Sequence, residues 1–420
     1  MHPLLPLPEW VELEHQVAKI LTQQELHGWY FDEQKGNELE STLRREMEEL
    51  TDLLRRQFPF VAGSLFTPKR TDRSRGYFEG SEFQRLKEFN PSSRDHIAWI
   101  LQTHYGWTPS LLTNSGKVVI DEIVLKDIGT DISLSFMKIL ELTKALGQIS
   151  EGKNAWQKLV TTSSRIHHHC SVATSTFRCA HRHPNLGQVP ADERFRKLFK
   201  ATPGQILVGA DLSGIELRIL AHYLARYDQG RYAEILVNGD IHQENADKIG
   251  ISRKQVKTVT YAFLYGAGNQ RIGIAYDKQL PENEARKKGK EIRAAYIAAI
   301  PGLKELLEAV HKSSKRGFLY GLDHRRILVD SRHKSLNFLL QGSSAVIAKK
   351  FMVLAHERKP KTANQLAFIH DELQYECDPR DANELKQTLE ESAKAAGESY
   401  ELRIPIAAES KSGETWADVH

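Results

Sequence analysis

The stretch that most constrains the fold is residues 368–376, FIHDELQYE. Two β-prone segments flank the adjacent carboxylates Asp371 and Glu372, so the chain is expected to turn sharply there. Neighbouring carboxylates repel each other and raise each other's pKa, whereas a purely structural hairpin usually turns at Asn-Gly or Asp-Gly. Two interpretations stay open at this point: an exposed hairpin tip, or half of a metal-binding carboxylate pair with its partner elsewhere in the chain.

A suitable partner for Asp371 lies earlier in the chain. Residues 206–210 predict a buried strand, Asp211 follows at its end, and residues 217–225 predict a helix that Glu216 enters. A carboxylate at a strand end beside a helix start is more typical of an active site than of packing. Two such carboxylates from distant strands can converge on divalent cations, which prefer oxygen ligands.

A third element places cations and aromatic rings on one helix face. Arg253, Lys257, Tyr261 and Tyr265 recur at four-residue spacing, so they form one stripe of a helix. One interpretation is a helix whose basic residues face water. The other is a surface that binds phosphates at one end and stacks against a base and sugar at the other.

Composition permits a nucleic-acid partner without requiring one. The chain has 420 residues, 27% of them charged, with a net charge of +4, which allows two or three subdomains and a mildly basic surface. Three scattered cysteines favour a reducing compartment over a disulfide framework. The first residues lack the pattern of a signal peptide, and no apolar run suggests a membrane span. A cytoplasmic location is therefore expected.

The segment 165–190 is rich in Ser, Thr and His and is expected to be irregular. Its Cys and His residues suggest zinc, but the spacing C-x8-C-x-H-x-H lacks paired knuckles. Contact with a polyanion is the favoured interpretation. The residues concerned are His167, His168, His169, Cys170, Cys179, His181 and His183.

The first 150 residues are predicted to be largely helical. Apolar periodicity predicts a helix over 9–27 and a longer amphipathic helix over 35–58. Residues 59–90 read as a polar, basic excursion because glycine and proline interrupt them.

Taken together, these elements resemble the polymerase module of a family A DNA polymerase, most closely the phage replicative branch, over residues 9–420. DLSGIELR (211–218), R-x3-K-x7-YG (253–266) and HDE (370–372) resemble the three motifs of that family, in family order. Supporting matches are FNPSSRDHI, PNLGQVP, NGDIH and LNFLLQGSSAVIAKK.

The resemblance implies an α+β fold shaped like a right hand, with an antiparallel β-sheet palm, helical fingers and a helical thumb. The implied domains are an N-terminal helix that packs on the palm (1–29), the thumb (30–150), the first part of the palm (151–234), the fingers (235–330) and the second part of the palm (331–420).

The resemblance also implies template-directed addition of deoxynucleotides to a primer 3′-hydroxyl, with release of pyrophosphate. Asp211 and Asp371 would hold two Mg²⁺ ions, for which Mn²⁺ can substitute, together with the backbone carbonyl of Leu212. Glu372 would support the site, and Lys257 joins these acids as a catalytic candidate.

Further site residues are implied by position in the family motifs. Arg253, Lys257 and His242 match contacts to the incoming triphosphate, Tyr265 matches the position beside the templating base, and Glu216 matches the gate against ribose. Tyr261 predicts poor discrimination against dideoxynucleotides, since its hydroxyl can replace a missing 3′-hydroxyl contact. The DNA-binding candidates are Arg178, Asn337, Gln341 and His370, the first three at the minor groove.

Some features depart from the family pattern. Phe177 and His324 stand where the family usually has glycine, which leaves the local backbone geometry open. No carboxylate pair of a proofreading exonuclease is recognisable. Three explanations stay open: another polypeptide carries the exonuclease, the sequence is part of a longer protein, or the enzyme does not proofread. A separate exonuclease or processivity subunit is the partner that the first explanation implies.

The alternatives are a repair polymerase, which template preference would discriminate, and a non-catalytic DNA-binding protein, which would be expected to lack a metal carboxylate. A reverse transcriptase or an RNA polymerase would not be expected to carry the pairing of Glu216 with Tyr261.

Overall fold

The structure of the protein is a computed structural model that describes residues 6–109, 112–113, 115–172, 174–277 and 280–420. The first five residues, on which the signal-peptide expectation partly rests, lie outside the described residues. The chain divides into two compact units. Unit 1 joins the N-terminal residues up to Glu33 to Leu159–His420, and unit 2 is the segment Gln34–Lys158 between them.

Unit 2 is mainly helical and has a hydrophobic core of its own. Ahead of it, unit 1 begins with α1 (Glu9–His27) and β1 (Trp29–Phe31), and α1 confirms the helix predicted over 9–27. The elements that follow, almost entirely in unit 2, are α2 (Glu33–Gln57), β2 (Phe60–Phe66), β3 (Phe83–Glu88), α3 (Arg94–Tyr105), α4 (Glu122–Ile128), α5 (Asp131–Leu146), a π-helical turn (Gly147–Glu151) and α6 (Trp156–Leu159).

The segment 59–90, predicted as a polar, basic excursion, contains regular structure that the sequence did not indicate. Strands β2 and β3 pair there as an antiparallel hairpin with one register shift. Aromatic rings explain the pairing: Phe66 lies opposite Phe83 with ring centroids 5.5 Å apart, and Tyr77 stacks on Phe83 at 5.2 Å. Such cross-strand aromatic pairs stabilise a hairpin that its polar, glycine-containing sequence does not suggest.

The larger part of unit 1 combines short strands with a run of consecutive helices, α8 to α14. Its elements are β4 (Arg165–Ile166), β5 (His169–Ser171), β6 (Ala180–Arg182), α7 (Glu193–Arg196), β7 (Phe199–Lys200), β8 (Ile206–Leu212), α8 (Ile215–Asp228), α9 (Arg231–Asn238), α10 (Ile241–Ile249), α11 (Arg253–Leu264), α12 (Asn269–Tyr276), α13 (Glu282–Ala299), α14 (Leu303–Ser314), β9 (Phe318–Tyr320), β10 (Arg326–Leu328), α15 (Ser335–Arg358), β11 (Asn364–Ile369), β12 (Glu372–Cys377), α16 (Ala382–Ser399), β13 (Ala408–Gly413) and α17 (Trp416–Val419).

A four-stranded antiparallel sheet is the centre of unit 1. Its strand order is β11–β12–β8–β13, so strands far apart in sequence become neighbours. Helices α15 and α16 pack against each other, α16 also covers β8 and β13, and α1 packs on α15 and β11. The fold is therefore α+β with an antiparallel sheet at its core, as predicted.

Helix α15 is the most deeply buried helix of this layer. It is apolar on most faces, and its one buried cation, Lys349, is paired with Glu14 at 2.7 Å. By length and composition the segment Arg332–Arg358 is apolar enough to cross a membrane, contrary to the expectation from sequence, but 78% of its most apolar window is buried inside the protein. Burial on all sides is the usual explanation for a helix of this composition in a folded core.

Candidate active site

The turn between β11 and β12 carries one of the predicted carboxylates. Ile369 pairs with Glu372, which leaves His370 and Asp371 as a two-residue turn. His370 has φ +61°, the left-handed conformation that the first position of a primed hairpin turn requires. The hairpin therefore fixes Asp371 at the end of the sheet rather than in a loose loop.

Strand β8 lies between β12 and β13 and aligns three carboxylates. Asp211 is directly opposite Glu372 on one side and Glu409 on the other. The amide N–H of Leu212 donates to the carbonyl oxygen of Asp371 at 3.3 Å, which places Asp371 beside this row. We call Asp211, Asp371, Glu372 and Glu409 the acidic row. Like charges directly opposite each other destabilise a sheet, so the arrangement indicates a function.

Burial and mutual repulsion raise the pKa of the two aspartates in the acidic row. Loss of surrounding water and then the charge of Asp211 raise the pKa of Asp371 to about 7. Loss of water and the charge of Glu372 raise the pKa of Asp211 to about 6. Within the described part of the chain, no Lys or Arg forms an ion pair with either carboxylate. A divalent cation would supply the missing positive charge.

Glu372 is held differently from its neighbours in the acidic row. Trp416 Nε1 donates to its Oε1 at 2.9 Å, His420 Nδ1 lies 3.0 Å from its Oε2, and Gln374 Nε2 also donates to Oε1. Burial favours the neutral acid, but these hydrogen bonds outweigh it and lower the pKa of Glu372. Its oxygens thus point toward α17 and the C-terminal residue, which suits a supporting role.

Helix α11 presents the predicted cationic face. Its N-terminus is fixed by a capping box between Ser252 and Gln255. Arg253 Nε donates to Asp240 Oδ2 at 2.6 Å across an exposed ion pair, while Lys257 is exposed and forms no ion pair with any described residue. We call Arg253 and Lys257 the cationic face.

The aromatic half of the predicted stripe lies at the other end of α11. The helix ends at Leu264, one residue earlier than the stripe requires, yet the N–H of Tyr265 still donates to the carbonyl of Tyr261 at 2.9 Å. The Tyr265 hydroxyl donates to Glu216 Oε1 at 3.1 Å, and Arg178 Nη2 donates to the same oxygen at 2.7 Å. Glu216 therefore joins α8, α11 and the segment before β6.

The remaining predicted residues surround this group. His242 is buried on α10 with its ring centroid 6.3 Å from that of Tyr261, and no described residue hydrogen-bonds its Nδ1. Asn337 Nδ2 donates to the carbonyl of Leu264 at 2.8 Å, and Gln341 follows one turn later on α15. The structure thus gathers all the predicted residues within unit 1.

The two departures from the family pattern adopt a glycine-like backbone. Phe177 has φ +63° and His324 has φ +61°, a conformation that bulky residues rarely take. The guanidinium of Arg325 lies 4.6 Å from the Phe177 ring centroid, and its Nε donates to Asp323 Oδ2 at 2.6 Å. A cation–π contact and a buried ion pair hold this strained pair in place.

Sequence reasoning missed three contributors and misjudged one segment. Glu409, Trp416 and His420 join the site through strand register and the position of α17, which no local motif reveals. The segment expected to be irregular forms β4, β5 and β6. Within it His168 and His181 are buried, and burial lowers the pKa of His168 to about 3 and that of His181 to about 4.

Comparison with known sequences identifies the class of enzyme. The sequence model of DNA polymerase family A matches residues 72–418, and the chain therefore belongs to DNA polymerase family A. The predicted activity of a DNA-directed DNA polymerase is confirmed.

Individual relatives agree with this assignment. The chain is 29% identical to the DNA-directed DNA polymerase of Escherichia phage T7 over 500 aligned positions, which cover 98% of this chain and 70% of the relative. It is 27% identical to the thermostable DNA polymerase I of Thermus filiformis, over 97% of this chain and 48% of that protein.

A solved structure has the same fold. The polymerase domain of Pol1 from M. smegmatis, in complex with DNA primer-template and dNTP, matches with a TM-score of 0.77 at 20% sequence identity. The match covers 97% of this chain and 70% of that one. This similarity confirms the right-hand polymerase fold.

Proposed function

We propose that this DNA polymerase extends a primer 3′-hydroxyl on a DNA template through two Mg²⁺ ions bound at the acidic row, in a phage-type replicative role. The observation that carries the proposal is the alignment of Asp211 with two further carboxylates beside Asp371, with no cation of the described protein to pair with the two aspartates. Such a cluster is costly unless a bound cation offsets its charge.

The residues present fit divalent ions. Hard cations prefer carboxylate and carbonyl oxygens, and Asp211, Asp371 and the carbonyl of Leu212 offer these together. When bound, the ions would activate the primer hydroxyl and offset the charge of the triphosphate and the departing pyrophosphate. Family A DNA polymerases depend on metal ions; Mg²⁺, or Mn²⁺ in its place, is our choice for this chain.

The cationic face would receive the incoming nucleotide. Arg253 would exchange its exposed partner Asp240 for phosphate oxygens, to which a guanidinium binds in bidentate fashion. Lys257 supplies a point charge without first breaking an ion pair. His242, behind them on α10, would contact the same triphosphate.

The other end of the site would select the nucleotide and check the base pair. Glu216, fixed by Arg178 and Tyr265, would exclude a ribose 2′-hydroxyl. Tyr265 would leave this contact to admit the templating base. Arg178, Asn337, Gln341 and His370 would bind the primer-template along its backbone and minor groove, which checks shape without reading sequence.

The domain assignments of the sequence comparison stay predictions. Residues 30–150 would serve as the thumb, residues 235–330 as the fingers, and residues 151–234 and 331–420 as the palm, on which the N-terminal helix (1–29) packs. We further propose a cytoplasmic location, in the host if the chain is encoded by a phage, and separate exonuclease or processivity subunits as partners.

Primer extension with Mg²⁺ and the four deoxynucleotides tests the proposal. Asp371→Ala should lower the rate of extension by at least about 10³-fold, since it removes a ligand of the charge-neutralising ions. The matched control is Asp330→Ala, which changes an exposed aspartate of the same unit and should leave the rate unchanged. Equal extension by wild type and Asp371→Ala would refute the proposal.

A further inference from the structure

A second cluster of ligand-type side chains lies on the β5–β6 ribbon, outside the sheet that carries the acidic row. A ring nitrogen of His168, Sγ of Cys170 and a ring nitrogen of His181 lie within 4.8 Å of one another, and all three residues are buried. Cys170 and His181 are directly opposite each other in the ribbon. His168 precedes Cys170 by two residues and so shares its face.

Three separations among Gln24, His168, Cys170 and His181 are close to those of a metal coordination shell. Cys170 Sγ lies 3.3 Å from His181 Nδ1. The side-chain amide nitrogen of Gln24, from α1, lies 3.1 Å from His168 Nε2 and 3.6 Å from Cys170 Sγ. Zinc bonds of about 2.0–2.3 Å in a tetrahedron imply distances between ligands of about 3.3–3.6 Å.

The ligand-type atoms of the cluster face inward, toward one another and toward Gln24. The lone pairs of His168 Nε2 and Cys170 Sγ both face the single amide group of Gln24. On the outer side, His168 Nδ1 and His181 Nε2 are buried and have no hydrogen-bond partner among the described residues. Because Gln24 donates to His168 Nε2 and the Cys170 thiol can donate to His181 Nδ1, both inner nitrogens carry lone pairs, as metal ligands must.

We propose that His168, Cys170 and His181 bind one zinc-class metal ion, with Gln24 as the fourth ligand through its amide oxygen. In the structure, Gln365 Nε2 donates to Gln24 Oε1 at 2.8 Å, and the Tyr375 hydroxyl donates to Gln365 Oε1 at 2.9 Å. Metal binding would therefore turn both amides by 180°, so that Gln24 donates to Gln365 and Gln365 donates to the Tyr375 hydroxyl. Binding forms the metal–sulfur bond as the Cys170 thiol releases its proton to solvent. One thiolate and two imidazoles favour Zn²⁺, Cd²⁺ or Co²⁺ over Mg²⁺.

The ion would connect α1 to the ribbon next to the catalytic turn. A Cβ built on Gly187 would lie 3.6 Å from His181 Cδ2 and 3.7 Å from His370 Nε2, so the His181 ring lies near the residue that precedes Asp371. Metal binding therefore fixes a side chain that borders the active site and ties it to a helix more than 140 positions away in sequence.

Cadmium titration of the reduced, chelator-treated full chain tests the site. Excess Mg²⁺ is present throughout, so that the acidic row is saturated and cannot compete. We expect thiolate-to-cadmium charge-transfer absorption that saturates at one equivalent. The band should disappear in Cys170→Ser and persist in the control variants Cys179→Ser and Cys377→Ser, which change the other two buried cysteines.

A second measurement tests the metal site if Cys170→Ser fails to fold. X-ray absorption of the wild-type chain loaded with one equivalent of Zn²⁺ should show one sulfur and at least two nitrogen ligands. Absence of the cadmium band in the wild type, its survival in Cys170→Ser, or a zinc shell without sulfur would each overturn the site.

Discussion

The acidic row and the cationic face are positioned by different means. Asp211 and Asp371 belong to a hydrogen-bonded sheet whose strand register fixes them, although their charges repel each other. Arg253 and Lys257 stand on one exposed helix face, where their only described ion-pair partner is Asp240. The folded sheet thus contains electrostatic repulsion before any ligand binds. The cations on the helix are already solvated, so their placement there changes the free energy of folding little.

This difference predicts distinct effects on stability and binding. Removal of Asp211 or Asp371 from the row relieves repulsion, so it should cost activity while the fold gains stability. Removal of a cation from the helix should cost nucleotide binding and leave stability nearly unchanged, because surface ion pairs contribute little. Four variants test this contrast, beginning with the largest expected effect.

Lys257→Ala should lower the efficiency of nucleotide incorporation by about 10²-fold, because it removes a cation that offsets charge developing on the triphosphate. The melting temperature should stay within about one or two degrees of wild type, since most surface substitutions change stability little. Lys254→Ala, on the same helix but off the stripe, is the control and should keep full efficiency. Steady-state incorporation of a single nucleotide measures both, and equal losses in the two variants would contradict a specific role.

Gly273→Ala should destabilise the helices that support α11 by about 3 kcal/mol. A Cβ at this position would lie 1.8 Å from the carbonyl oxygen of Ala285, so α12 and α13 would have to separate. Gly147→Ala is the control, since its helical position has open space for a Cβ. Thermal unfolding measures the effect, and an unchanged transition in Gly273→Ala would show that the cationic face does not depend on this packing.

Tyr261→Phe should raise discrimination against dideoxynucleotides by about tenfold or more, a difference of about 1.4 kcal/mol in transition-state binding. The reason is the loss of a hydroxyl that can replace the missing 3′-hydroxyl contact of the analogue. Competition between a deoxynucleotide and its dideoxy analogue measures the ratio. Strong rejection of dideoxynucleotides by the wild type, unchanged in the variant, would contradict a role of Tyr261 in nucleotide selection.

The pH dependence of stability gives the smallest expected effect. The pKa values of Asp371 and Asp211 are about 7 and about 6 in the fold, above the ordinary aspartate value of 3.8. Between about pH 4 and 7 the unfolded chain therefore binds fewer protons than the native one, so the pair should lower stability as pH rises. Mg²⁺ should reverse this loss.

Melting curves of the wild type and of Asp371→Asn, with and without Mg²⁺, measure this effect. We expect the metal-free wild type to fall below the variant as the pH rises from 5 to about 8. A difference independent of pH would show that the acidic row does not store repulsion.

Local signals account for the part of the site that sequence could predict. A β-prone run ending at Asp211, the alternation around Asp371 and the four-residue spacing on α11 each identify an element by its own residues. The prediction that these elements form one site came from the presence of all three motifs in family order, not from geometry. Glu409 could not be predicted, because its place depends on the register between β13 and β8. Trp416 likewise reaches Glu372 from another element.

For the fold as well, the sequence predicts single elements but not the contacts between distant residues. Helices such as α1 follow from apolar periodicity, and the central strands follow from their β-prone residues. The β2–β3 hairpin was missed because its rings meet only across the hairpin. The ribbon of β5 and β6 was missed because its Cys and His residues favour no regular structure on their own.

The position of α1 has a consequence for how the chain folds. Glu14 pairs with Lys349 and Gln24 hydrogen-bonds Gln365, contacts that span 335 and 341 positions. During synthesis, α1 must wait without its partners until most of the chain has been made, whereas the hydrophobic core of unit 2 is formed by residues of one continuous segment. Loop closure over such a span slows folding. We expect unit 2 to fold first on the ribosome, and the polymerase site to form only after the last strand is released.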